Sequence, residues 1–133
     1  MKETEINNCI AEAIRMKGII DLNADDFKLV MDNGANVHSF LEMGKGDSPL
    51  SQALQKIEED ADRQSVELFQ CEKVVIGIFI SSNSNSPQHL APSDFDAFTN
   101  FLSRFGDDFE TKWGLYASSN LKDDEAKVLL IAC

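Results

Sequence analysis

Histidine, cysteine and basic residues are all in short supply in this sequence. Two histidines occur, His38 and His89, and neither belongs to an HExxH pattern. The three cysteines, Cys9, Cys71 and Cys133, stand far apart. No CxxC occurs and no cysteine lies near a histidine at metal-ligand spacing, so a zinc or iron–sulfur centre is not encoded. The expected state is three reduced thiols in a cytoplasmic protein. A GxSxG nucleophile elbow is also missing. Twelve Lys and Arg face 23 Asp and Glu, for a formal net charge of -11. That balance excludes nucleic acid and anionic membrane as main partners, because both need clustered cations to displace counterions. No apolar run approaches the length of a bilayer span, and the polar N-terminus has no signal-peptide run.

What is present is enough for one folded domain: 133 residues, 43% of them hydrophobic. Ile6, Cys9, Ile10, Ala13 and Ile14 recur at helical spacing over 3–17, with Gly18 as the stop. The stretch "GIIDLNADDFKLVM" packs Asp21, Asn23, Asp25 and Asp26 into six residues. Asn23 can cap a second helix, with Asp26 in capping-box position and Phe27, Val30 and Met31 as its buried stripe. Val37, Ser39, Leu41 and Met43 alternate as in a half-buried strand. Ser48 and Pro49 open a helix over 48–63, whose core face is Leu50, Ala53, Leu54, Ile57 and Ala61. "KVVIGIFIS", 73–81, is apolar on both faces, as a central strand is.

A further helix is expected over 93–105, boxed by Ser93 and Asp96, with Phe95, Phe98, Phe101 and Phe105 in the core. "KWGLYASS" and "KVLLIAC" read as two strands joined as an antiparallel hairpin. Trp113 and Tyr116 fall on opposite faces of their strand, so an outward aromatic is a partner-contact candidate. The expected fold is α/β (α+β). Four strands form a mixed sheet covered by two helices on one face, and the first helix stands outside as a flanking arm. Gly44-Lys45-Gly46 begins like a phosphate loop but lacks its later residues, so it reads as a turn.

The opening stretch resembles the segment that joins the two halves of FtsZ and tubulin-like GTPases. There a long helix is followed by the pattern Gly-Leu-Ile-Asn-Leu-Asp-x-x-Asp-x-Lys-x-Val-Met. Gly18, Ile20, Leu22, Asp26, Lys28, Val30 and Met31 match it in order. "VHSFLEMGKG", "KVVIGIFIS", "SDFDAFTNFL" and "WGLYASSNLKDDEAKVLLIA" are similar to the strands, glycine loop and helix that follow, the last piece with one residue extra. The resemblance implies the family's C-terminal domain over 18–133, with 1–17 as the connecting helix and without the GTPase half and its glycine-rich phosphate loop. It therefore implies no cofactor, and a partner that is either an FtsZ/tubulin-like protein or a second copy of the chain.

In that family the acidic loop enters the nucleotide site of the next subunit and orients the attacking water. The matched positions here are Asp21, Asn23 and Asp26, an acid, an amide and an acid where the family has an amide and two acids. Asn23 cannot take up a proton near neutral pH. Asp25 adds a carboxylate on another side of the helix start. These four residues form the candidate partner-contact loop, with no catalytic or metal-binding set. The primary expectation is a non-catalytic interaction or filament-assembly module in cell division. The alternative is an oligomeric ligand-binding or enzyme domain, with sites between subunits that meet on a free sheet face. A third reading is an inert remnant, in which the apolar stripe of the first helix stays exposed.

Overall fold

Alternating and continuous apolar runs assign the strands, and 3.6-residue spacing assigns the helices. In the computed structural model, residues 2–15, 22, 24–31, 37–81, 92–106, 109–118, 121–122 and 124–133 are described. The elements are α1 (Lys2–Arg15), α2 (Ala24–Met31), β1 (His38–Lys45), α3 (Pro49–Arg63), β2 (Lys73–Ser81), α4 (Pro92–Ser103), β3 (Glu110–Ser118) and β4 (Glu125–Ala132). A short 3-10 turn, Leu68–Gln70, leads from α3 towards β2.

The four strands make one mixed sheet in the order β1-β4-β2-β3. β4 is antiparallel to both β1 and β2, and β3 is parallel to β2. The expected hairpin between the last two strands is therefore absent: they are sequential but not neighbours. The reason lies in their composition. β4 buries Val128 to Ala132 without a break, which only a strand covered on both faces can do. β3 exposes Glu110, Lys112 and Trp113, which suits an edge. The length of the 119–124 connection fits a hairpin but does not decide between these placements.

One sheet face carries α3 and α4. Phe40, Leu54, Ile57, Val74, Ile76, Phe101, Val128 and Leu130 belong to a single buried cluster there. Phe69, Phe101 and Phe105 meet edge to face, with ring centroids 5.0–5.6 Å apart. Phe98 belongs to this core, but Phe95 is 48% exposed, because it falls on the outer side of α4.

The second face is covered too. Cys9 from α1, Leu22, and Phe27 from α2 pack with Val75, Phe79, Tyr116, Leu129 and Ile131. Cys9 is 2% exposed and Ile10 packs against the same cluster. α1 is therefore seated on its own sheet rather than projecting as a free arm. The sheet face that the alternative reading left free for contact between subunits carries α1 and α2. The side chains of Ile6, Ala13, Ile14, Val30 and Met31 lie outside the described residues.

Helix ends show how local chemistry is shared between elements. Ser48 precedes α3 but makes no side-chain cap bond. Its hydroxyl lies 3.0 Å from that of Ser93 instead. The capping oxygen comes from α4: the fully buried Asp94 accepts the Ser51 amide at 3.1 Å. α4 begins at Pro92, so Ser93 lies within the helix and does not cap it. At the other end of α3, Ser65 takes a left-handed φ of 58°. Val66 then donates to Ala61 O at 2.8 Å and Ser65 to Asp62 O at 3.1 Å, a Schellman closure built without glycine.

Candidate functional site

The acidic turn is held from beneath on both of its sides. Leu22 before it is 3% exposed, and Phe27 within α2 is 3% exposed. Both side chains join the second-face cluster. Between them, Asp25 is exposed and Asp26 is half-buried, both in the first turn of α2. Carboxylates there are favoured by the positive end of the helix. Asp21 and Asn23 lie outside the described residues, and with them the Asn23 cap.

Leu22 is fixed by more than its side chain. Its amide donates to the Tyr116 hydroxyl at 2.6 Å, and that hydroxyl lies 3.4 Å from the Leu22 carbonyl oxygen. Tyr116 is fully buried on β3 and stacks on Phe79, with ring centroids 5.2 Å apart. The Lys127 ammonium sits 4.9 Å from the centre of the Phe79 ring. A single tyrosine hydroxyl thus ties the start of the acidic turn to an edge strand 94 residues away. Sequence reasoning placed Tyr116 and Trp113 on opposite faces but did not assign this role. The available signal was that Tyr116 is the only tyrosine in the chain.

Trp113 faces the other way. It is 37% exposed and meets Phe98 edge to face at 5.5 Å. Of the Gly44-Lys45-Gly46 segment, expected to be a turn, Gly44 and Lys45 are instead the last residues of β1, paired with Ala126 and Glu125, and only Gly46 turns out of the strand. Gly46 has φ +100° and donates its amide to Asp124 O at 2.9 Å. His38 lies half-buried at the start of β1, and His89 is outside the described residues. A cleft of about 420 Å³ between α1 and β1 is lined by Glu5, Asn8, Cys9, Glu42 and Lys127 among others. Two carboxylates, an amide, one ammonium and the buried Cys9 thiol thus border one opening. Among the described residues no group of three or more His, Cys, Asp or Glu is arranged to hold a metal ion. No helix among them is long and apolar enough to cross a membrane.

No family model matches the sequence and no curated protein matches it. Solved structures do match. FtsZ of M. jannaschii, described as an empty dimer, is similar over 92% of this chain and 34% of its own, with 20% identity and a TM-score of 0.65. TubZ of Bacillus thuringiensis serovar israelensis, described as GDP-form protofilaments, is similar over 88% of this chain and 31% of its own, at 10% identity and a TM-score of 0.60. CetZ from Methanosaeta thermophila is similar over 98% and 35%, at 16% identity and a TM-score of 0.59. The chain thus spans about a third of the length of each of these proteins. Across nearly all of its own length, it has the α/β fold of the FtsZ/tubulin C-terminal domain.

Proposed function

We propose that this chain is a non-catalytic interaction module of FtsZ/tubulin type. It docks its acidic turn against a subunit of an FtsZ-fold filament, or against a second copy of itself, and so regulates assembly in cell division. The observation that carries this reading is the mounting of the turn. Leu22 and Phe27 are sunk into the sheet, the Tyr116 hydroxyl grips the backbone, and Asp25 is left facing out. Anchoring at Leu22 and Phe27 reduces the conformational freedom that the described carboxylates between them lose on docking. Two of the structural relatives are described as a dimer and as protofilaments, which supports association as the common theme. The proposal places the module in the cytoplasm, without a cofactor and without GTP hydrolysis of its own.

Sedimentation velocity tests the docking. The purified chain is mixed with an FtsZ from the same source in the presence of GTP. The expected result is a faster-moving complex that is weakened when both Asp25 and Asp26 are replaced by asparagine, because the partner then meets two fewer carboxylates. Unchanged sedimentation of both components would refute the docking role.

A further inference from the structure

The two edges of the sheet are protected differently. β1 is blunted by side chains of α3: Gln52 Oε1 accepts the Lys45 amide at 3.2 Å, and the Lys56 ammonium donates to Met43 O at 2.7 Å. Among the described residues, nothing of the kind covers the first half of β3. Glu110, Lys112 and Trp113 are exposed there, whereas Gly114, Leu115 and Tyr116 further along are buried. β3 carries no proline, and its register with β2 runs unbroken from Glu110 to Ser118, so no bulge turns the edge away. Glu110 donates its amide to Glu72 O on the β2 side. Alternate residues of a parallel strand bond the same neighbour, so the backbone N–H and C=O of Thr111 and Trp113 point away from β2. β3 is the last strand of the sheet, and no described strand lies beside it there.

The open stretch is complementary to itself. We propose that Phe109–Trp113 pairs antiparallel with the same residues of a second copy, about a two-fold axis at Thr111, so that two four-stranded sheets become one. In that register Thr111 faces Thr111, and Glu110 faces Lys112 and Phe109 faces Trp113, each twice by symmetry. The Thr111 pair and the Phe109–Trp113 pairs exchange backbone bonds through the groups that β3 leaves pointing outward. The Phe109 amide makes only a long bond within its own chain, 3.4 Å to Gly106 O. Glu110 and Lys112 take the non-hydrogen-bonded positions, where facing side chains come closest. The exposed carboxylate and ammonium are thereby matched, and Lys112 no longer guards the edge. Trp113 is covered by Phe109 of the second copy, a ring that stacks on its own Phe105 with centroids 5.0 Å apart. The Thr111 hydroxyl is buried without a hydrogen-bond partner in the single chain. Rotation about χ1 brings it to the edge, where threonines facing each other across a strand pair hydrogen-bond. A strand of another protein would have to match charge, ring and hydroxyl together, whereas a second copy does so by symmetry. The pairing uses the half of β3 that does not hold Leu22, so it is independent of the acidic turn and of the docking role.

Sedimentation velocity of the 133-residue chain alone, over a range of concentrations, tests the pairing. The expected result is a monomer–dimer equilibrium. Glu110→Lys and Lys112→Glu, taken singly, should each weaken the dimer about tenfold or more, because like charges then lie opposite each other twice. The double variant Glu110→Lys, Lys112→Glu recreates the matched pairs and should recover wild-type association. Thr111→Pro should abolish the dimer, since it removes an outward N–H and none that bonds β2. The charge swap alone decides the matter if Thr111→Pro folds poorly. The Asp25→Asn, Asp26→Asn double variant should dimerise as the wild type does. A chain that stays monomeric at every concentration would overturn the proposal and leave the edge to a strand of another protein. A dimer indifferent to the single charge reversals, or one lost only when Asp25 and Asp26 are replaced, would overturn it as well.

Discussion

Replacing Gly44 by alanine is expected to destabilise the domain by about 3 kcal/mol or more, enough to unfold many small domains. A Cβ built at Gly44 would lie 1.9 Å from the carbonyl oxygen of Pro49 and 2.8 Å from the Ala53 amide nitrogen. Both are backbone atoms of α3, so no side-chain rotation relieves the clash. Either β1 leaves its pairing with β4 or α3 lifts off the sheet. The second change would uncover Leu50, Ala53, Leu54 and Ile57, each no more than 3% exposed in the native fold. Gly106→Ala is the control, because a Cβ there meets nothing within 4 Å. Urea unfolding should give a large drop in midpoint for Gly44→Ala and almost none for Gly106→Ala. Equal effects would show that the approach of α3 to β1 is not the constraint described.

Tyr116→Phe is expected to cost about 2 kcal/mol while leaving the core packed. The ring and its stacking on Phe79 survive the change, so the loss is confined to the hydroxyl. That hydroxyl accepts the buried Leu22 amide at 2.6 Å. Without it the donor loses this acceptor in an apolar setting, which costs more than an ordinary hydrogen bond contributes. The readouts are urea unfolding and hydrogen exchange of the Leu22 amide, which should accelerate well beyond the change expected from global stability alone. Docking should weaken as well, because the acidic turn loses its backbone tether. A variant with native stability and an unchanged Leu22 amide would show that the tether does not hold the turn.

These two residues illustrate what the sequence made legible. Apolar periodicity located the helices and strands, and β2 was read with the bounds Lys73–Ser81 that the structure shows. Gly44 was read as part of a turn, whereas it is a β1 residue at the point where two backbones nearly touch. Close approach depends on the docking of α3 over β1, which no local pattern encodes. The alternation of Trp113 and Tyr116 was legible because strand geometry fixes it. The partner of the tyrosine hydroxyl was not, since it lies 94 residues away.

The misplaced hairpin has the same origin. A short connection favours neighbouring strands, but the central position goes to the strand that is apolar on both faces. Ser48 looked like a cap because serine before proline commonly is one. In the folded chain Asp94, delivered by α4, occupies that role for the Ser51 amide. The acidic turn was legible as a cluster and as a family resemblance. Its mounting on Leu22, Phe27 and Tyr116 required the structure.

The central claim is that this domain acts on filaments through its acidic turn. The most direct test is to titrate the chain into assembling FtsZ from the same source and weigh the pelleted polymer. The account predicts a change in polymer mass that grows with added wild-type chain and is strongly reduced with the Asp25→Asn, Asp26→Asn double variant. Polymer mass that stays constant at every ratio, or that responds equally to both proteins, would contradict it.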